Sequence, residues 1–120
     1  MSSKHKAYIE EAIKEANKSC MFRKHGCVIV NNKEIISKGY NYYIYNLIQK
    51  FSVHAEESAI QKLKKLNNYK NNTTYTMYVV RISDNFLRIS LPCNKCKKII
   101  EKIKCIKTIY YSCDENFIHN

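Results

Sequence analysis

Glycine and proline are nearly missing: the 120 residues include two glycines and one proline. Loop-rich domains stapled by disulfides depend on turn residues, so this scarcity argues against such a scaffold despite six cysteines. The chain also lacks a long apolar run, which excludes a helical membrane span. Its start, Met1-Ser2-Ser3-Lys4-His5-Lys6, lacks the apolar stretch of a signal peptide. These absences lead us to expect a cytoplasmic, reducing setting. No repeat or low-complexity linker divides the sequence, and its length suits one domain over residues 1–120. Acidic side chains are few, ten against 21 Lys and Arg, for a formal net charge of +11. That excess suits an anionic partner such as nucleic acid or a nucleotide. The lysines are spread rather than clustered, however, which favours solvated helix faces and leaves a phosphorylated substrate open.

What the chain does have is periodicity. Ala7, Tyr8, Ala12, Ile13 and Ala16 recur at helical spacing, predicting an amphipathic helix over 4–19. Cys27-Val28-Ile29-Val30 and Glu34–Tyr40 flank Asn31-Asn32-Lys33, a hairpin signal. Residues 41–53 read as a loop dense in aromatics: Tyr42, Tyr43, Tyr45 and Phe51. Ala55, Ala59, Ile60, Leu63 and Leu66 mark a second helix, and 67–72 is a polar loop. The β-branched and aromatic stretch 73–82 reads as a central strand, and 83–91 as a loop. Pro92 suits a helix start, and Cys93, Cys96, Ile99, Ile100 and Ile103 share one face of the helix that follows. Residues 108–112 form a strand, with a turn at 113–116. A strand, helix and strand in series predict parallel pairing of the two strands.

Two distant segments carry the chemistry. His54 and Glu56 lie in the first turn of the second helix, and Cys93 and Cys96 lie at i, i+3 at the start of the third. An imidazole, two thiols and a carboxylate are what a catalytic zinc site requires: three protein ligands, an open position for water, and an acid beside it. Two helix N-termini aimed at one point would help keep the thiols deprotonated. Cys20, Cys27, Cys105 and Cys113 then remain as ordinary reduced thiols, with Cys27 buried in its apolar strand. His5 and His119 are expected at the solvent-exposed termini, and His25 just before the first strand has a weaker claim to the site.

H-x-E followed by P-C-x-x-C resembles the signature of the zinc nucleobase deaminases, the cytidine and deoxycytidylate deaminase superfamily. The resemblance runs from about Lys24 to Ser112. It implies that His54, Cys93 and Cys96 hold one zinc ion per chain. It also implies that Glu56, not a ligand, shuttles protons while zinc-activated water attacks C4 of cytosine or C6 of adenine. Gly39-Tyr40-Asn41 resembles the family's G-x-N, which gives Asn41 a contact to the substrate sugar. Ser90-Leu91-Pro92-Cys93 resembles the S-x-P-C of polynucleotide cytosine deaminases, making Ser90 a substrate contact or a helix cap. The backbone N–H groups of Ala55 and Cys93 are expected to touch the base. The implied fold is a three-layer α/β/α sandwich with a mixed sheet of four or five strands. Both metal-bearing helices lie on one face and the first helix on the other, and a fifth strand at 117–119, if formed, pairs as an antiparallel hairpin.

Histidine rather than cysteine as first ligand argues mildly against free-cytidine deaminases. Short length and a hairpin end argue against the tRNA and polynucleotide branches. The resulting expectation is hydrolytic deamination of a cytosine-bearing nucleoside or nucleotide by a homo-oligomer, a dimer or tetramer. A nucleic-acid editing deaminase is the alternative enzyme. A zinc-stabilised binding subunit leaves Glu56 without a purpose, and a thiol–disulfide protein explains neither His54 nor Glu56.

Overall fold

The computed structural model describes residues 3–45, 50–66, 74–83, 86–103, 105–113 and 116–119. Its elements, in chain order, are α1 (Ser3–Ala16), β1 (Lys24–Asn31), β2 (Glu34–Tyr40), β3 (Tyr42–Tyr45), β4 (Lys50–Val53), α2 (Ala55–Lys64), β5 (Tyr75–Ser83), β6 (Phe86–Arg88), α3 (Asn94–Ile103), β7 (Ile106–Cys113) and β8 (Asn116–His119). The main sheet runs β2-β1-β5-β7-β8, with β6 added beside β5. Only β5 and β7 are parallel among these pairings.

The β1–β2 hairpin forms as its sequence predicts. Asn32 and Lys33 take φ of 50° and 68°. Two consecutive positive φ values make the turn whose twist matches that of the flanking strands. The short segment 117–119 also behaves as expected, since β8 returns antiparallel along β7.

Two cores sandwich the sheet, and alternation along the strands sorts them. Cys27 and Ile29 of β1 and Tyr75, Met77 and Val79 of β5 face α2 and α3, packing on Ala59, Ile60, Leu63, Ile100 and Ile103. Val28, Val30, Tyr78, Val80 and Ile82 face the other way, onto Ile9, Ala12 and Ala16 of α1. The result is the expected three-layer α/β/α sandwich, with α2 and α3 together and α1 opposite.

Three expectations need correction. The aromatic stretch 41–53 contains a second sheet, in which Tyr42–Tyr45 pairs antiparallel with Lys50–Val53. The stretch 83–91 contributes β6, so the main sheet has six strands rather than four or five. His5 is not a solvated terminal side chain, because its ring nitrogen meets the Tyr78 hydroxyl. The polar stretch 67–72 lies outside the described residues. So do Asp114 and Glu115, the middle of the turn at 113–116.

Both glycines sit where a helix backbone crosses a strand. A Cβ on Gly26 would meet the Ala12 carbonyl oxygen and stand 2.6 Å from the Ala16 nitrogen of α1. One on Gly39 would stand 2.5 Å from both the Ala55 oxygen and the Ala59 nitrogen of α2. Rigid backbone cannot yield there as a side-chain tip would. We expect Gly39→Ala to destabilise the fold by about 3 kcal/mol through overpacking, read as a lowered urea midpoint. Because α2 is displaced at its first turn, the same variant should also bind zinc more weakly.

Candidate active site

The N-termini of α2 and α3 converge. The Ser58 N–H donates to the His54 carbonyl at 3.0 Å, and the Lys97 N–H donates to the Cys93 carbonyl at 2.9 Å. His54 and Cys93 therefore each cap a helix, so Pro92 lies one residue outside the helix it was expected to open. Glu56 occupies the second position of α2, and Cys96 the third of α3. Glu57 ties the two ends together: its carboxylate accepts from the His54 N–H at 3.1 Å and pairs with Lys95 at 3.2 Å.

The His54 Nδ1 stands 3.5 Å from the Cys93 sulfur and 3.3 Å from the Cys96 sulfur. All three donor atoms lie within 4.8 Å of one another. Zinc–sulfur bonds of about 2.3 Å and zinc–nitrogen bonds of about 2.0 Å at tetrahedral angles separate S from N by about 3.5 Å. The donor set thus fits one zinc ion in both spacing and chemistry.

Electrostatics give the same answer. Glu56 is 4% exposed. Burial pushes its carboxyl above the usual carboxylate range, while hydrogen bonds from its own backbone N–H and from the Cys96 thiol oppose the rise. Burial likewise pushes the Cys96 thiol well up, helped by the nearby charges of Glu56 and Cys93. Groups that form anions are packed together here, and a divalent cation would relieve each of them.

Glu56, His54 and Cys93 open onto a cavity of about 200 Å3, whose other walls include Met21, Arg23, His25, Asn41, Ser52 and Leu91. Asn41 is therefore at the cavity, but its amide already has work. Its Oδ1 accepts from the His25 N–H at 2.9 Å and its Nδ2 donates to the Arg23 carbonyl at 2.7 Å. One N–H and one lone pair remain for a ligand. Ala55 is fully buried at the first position of α2 and is not a wall residue.

Ser90 is not brought into the cavity. Its hydroxyl donates to the Val79 carbonyl at 2.9 Å and accepts from the Ser112 N–H at 2.8 Å. Nor does it cap α3, which begins four residues later. Ser112, fully buried, completes the clasp: its hydroxyl donates to the Arg88 carbonyl at 2.6 Å and accepts from the Arg81 N–H at 3.1 Å. This network fixes the segment that delivers Cys93 to His54. Sequence reading missed Ser112, because nothing local distinguishes it from a solvent-facing strand serine.

His25 has a larger part than its sequence position suggested. It lines the cavity, and burial together with the charges of Arg81, His54 and Arg23 lowers its pKa to about 4. An unfolded histidine titrates near ~6.5. Between these values the unfolded chain takes up a proton that the folded chain refuses, so His25 removes stability as pH falls from about 6.5 to about 4. Above that window it is neutral in both states and has no effect. We expect the urea midpoint of the wild type to fall faster over this acid range than that of His25→Asn.

Among the described residues no helix is long and apolar enough to cross a membrane. Cys20, Cys27, Cys93, Cys96 and Cys105 are not in disulfides, and Cys27 is fully buried as expected. The side chain of Cys113 lies outside the described residues.

A comparison with curated proteins finds no match. Among solved structures, the chain is similar to the dCMP deaminase of the cyanophage S-TIM5 in its apo form. The TM-score is 0.70 at 23% identity, over 92% of this chain and 84% of that one. The same phage enzyme in complex with dCMP and dUMP matches at TM-score 0.68 and 22% identity, over 92% and 82%. The cytidine deaminase of Burkholderia pseudomallei matches at TM-score 0.76 and 16% identity, over 100% and 92%. Residues 2–113 match the family model for the cytidine and deoxycytidylate deaminase zinc-binding region. With nearly all of its length inside that match, and a zinc-compatible His/Cys/Cys cluster within it, the chain belongs to the zinc-dependent cytidine and deoxycytidylate deaminase family.

Proposed function

We propose that this protein catalyses hydrolytic deamination of a cytosine-bearing nucleoside or nucleotide, with His54, Cys93 and Cys96 holding one zinc ion and Glu56 as the catalytic acid–base. The observation that supports this best is the buried Glu56 carboxyl at the wall of the same cavity as the His54–Cys93 pair. A zinc that only braced a fold would have no use for that acid.

Zinc held by these three side chains supplies the Lewis acidity that makes water nucleophilic near neutral pH. The Glu56 carboxylate accepts the proton of the attacking water as the new C–O bond forms at C4 of the ring. It delivers that proton to the ring nitrogen N3 and moves a second, taken from the hydroxyl now on C4, to the departing amine. The C4–N bond then breaks, ammonia leaves, and a carbonyl remains where the amine was. The raised affinity of Glu56 for protons suits a group that must take one and return it. The Ala55 N–H, in the first turn of α2 where intrahelical acceptors are lacking, is assigned to the base. The remaining N–H of Asn41 is assigned to the sugar. Ser90 acts at one remove, by holding residues 91–93.

Self-association is part of this reading. Tyr43, Ile44 and Tyr45 of β3 and Phe86 of β6 are exposed, as are Phe22, Ile89 and Leu91. Such a collection of exposed apolar side chains suits burial against a second copy.

The test is a panel of cytidine, deoxycytidine, their monophosphates, guanine, and single-stranded DNA and RNA, scored for ammonia release by the zinc-loaded protein. We expect release from a free cytosine nucleoside or nucleotide. Release from guanine alone, or from none of the panel, would overturn the proposal.

A further inference from the structure

Three side chains, His25, Arg81 and Arg88, lie in one cross-strand row that starts at the cavity wall, and a fourth, Arg23, shares that wall. His25 of β1 is the cross-strand partner of Arg81 of β5, and Arg81 is the partner of Arg88 of β6. Directly opposed residues of antiparallel strands project from the same face of a sheet. That face is the one bearing α2 and α3, because Cys27 and Val79, two residues along from His25 and Arg81, pack in that core. Arg23, two residues before His25, lines the cavity with it.

These arginines are unspent. The ion pairs among the described residues engage Lys14, Lys18, Lys38 and Lys95, and none includes Arg23, Arg81 or Arg88. Arg81 Nε is buried with no hydrogen-bond partner, the one such side-chain atom among the described residues. A buried guanidinium N–H without an acceptor is unfavourable unless something arrives to meet it. The Arg88 guanidinium stands 5.7 Å from the centre of the Phe86 ring, which holds it in place while leaving its N–H groups open. The backbone is fixed as well, since the Arg81 N–H and the Arg88 carbonyl both bond the buried Ser112 hydroxyl.

We propose that Arg81, with Arg88 beside it and Arg23 at the cavity wall, forms a phosphate subsite, so that the substrate is a cytosine nucleotide rather than a free nucleoside. This rests on the deaminase reading above and adds to it what sits at the far end of the substrate. Arginine suits the task, because its planar fork offers paired N–H donors to phosphate oxygens. The phosphate could belong to a free nucleotide or to one residue of a strand, since both present the same dianionic or diester oxygens to the row.

The test has a binding arm and a kinetic arm. In the first, inorganic phosphate is titrated into the zinc-loaded protein and followed by 31P NMR. We expect saturable broadening that is lost in Arg81→Gln and partly kept in Arg81→Lys. In the second, kcat/KM is measured on deoxycytidine, dCMP and a short deoxycytidine oligonucleotide. The wild type should prefer a phosphorylated substrate, and Arg81→Gln should lower the ratio of phosphorylated to unphosphorylated kcat/KM by about 100-fold. Preference for dCMP or for the oligonucleotide identifies the source of the phosphate. Absence of saturable phosphate binding, or an unchanged ratio in Arg81→Gln, overturns the subsite. A protein that binds phosphate through Arg81 yet deaminates nothing would instead retain the subsite and refute the deaminase reading.

Discussion

Replacing Glu56 by glutamine should abolish turnover while leaving the zinc and the fold in place. The amide keeps the size of the side chain and much of its hydrogen bonding, but it cannot accept a proton from water. General acid–base groups contribute ~10^2- to 10^4-fold, and Glu56 is asked to act at more than one proton transfer, so a loss of at least about 10^3-fold in kcat is expected. Stability should not fall, and the metal-free protein, in which no cation offsets the buried charge, should gain. Glu56 is buried, and burial raises its pKa, so ionising it opposes folding. A carboxyl with a raised folded-state pKa weakens the fold as pH climbs past its ordinary range, where the unfolded chain is already charged. The neutral amide removes that penalty. Zinc content, urea midpoint and kcat measured on one preparation separate the catalytic loss from a structural one. A variant that keeps full activity on the panel would contradict the assignment.

The second large effect is expected from Cys96→Ser. Cys96 is fully buried and sits in the first turn of α3, between the metal site and the α2–α3 core. A serine hydroxyl is a much poorer zinc ligand than a thiolate, and here it would also be placed against apolar neighbours. Loss of the metal removes its contribution to stability, about 4 kcal/mol where free zinc stands a thousandfold above its dissociation constant. We expect zinc content to fall to a small fraction of one ion per chain, activity to vanish, and the melting temperature to become insensitive to added zinc. Chelation of the wild type should reproduce the loss of zinc and of activity and lower the melting temperature, and zinc readdition should reverse all of these. Cys20→Ser, which alters an exposed thiol outside the His54, Cys93 and Cys96 donor cluster, should do none of this.

What could be read from the sequence follows a physical division. The helices and core strands were legible because burial imposes a period: Ala59, Ile60 and Leu63 mark the buried side of α2, and Cys96, Ile100 and Ile103 that of α3. The site was legible because His54, Cys93 and Cys96 are unusual residues at fixed spacings, each near a helix start. The β3–β4 sheet was not. Tyr43, Ile44 and Tyr45 are all exposed, so no buried face imposes the alternation by which strands are recognised. β6 spans three residues, too few for any period.

The misses at the site have a different cause. Ser90 was linked to substrate by the motif around it, but its hydroxyl is held by Val79 and Ser112, partners 11 and 22 residues away. Hydrogen bonds across that distance leave no local trace. The same is true of His25, which becomes interesting only when β1 pairs with β5 and brings Arg81 opposite it. Chemistry supplied by rare residues at short spacings within two separate motifs was readable; chemistry supplied by ordinary residues aligned through strand pairing was not.

The central claim is that one histidine and two cysteines from two helix ends share a single zinc ion with a position left open. Zinc K-edge X-ray absorption on the purified, zinc-loaded protein tests it most directly. The account predicts one zinc per chain with two sulfurs at about 2.3 Å and two nitrogen or oxygen neighbours at about 2.0 Å. A shell of four sulfurs, a shell without sulfur, or a protein that binds no stoichiometric zinc would contradict it.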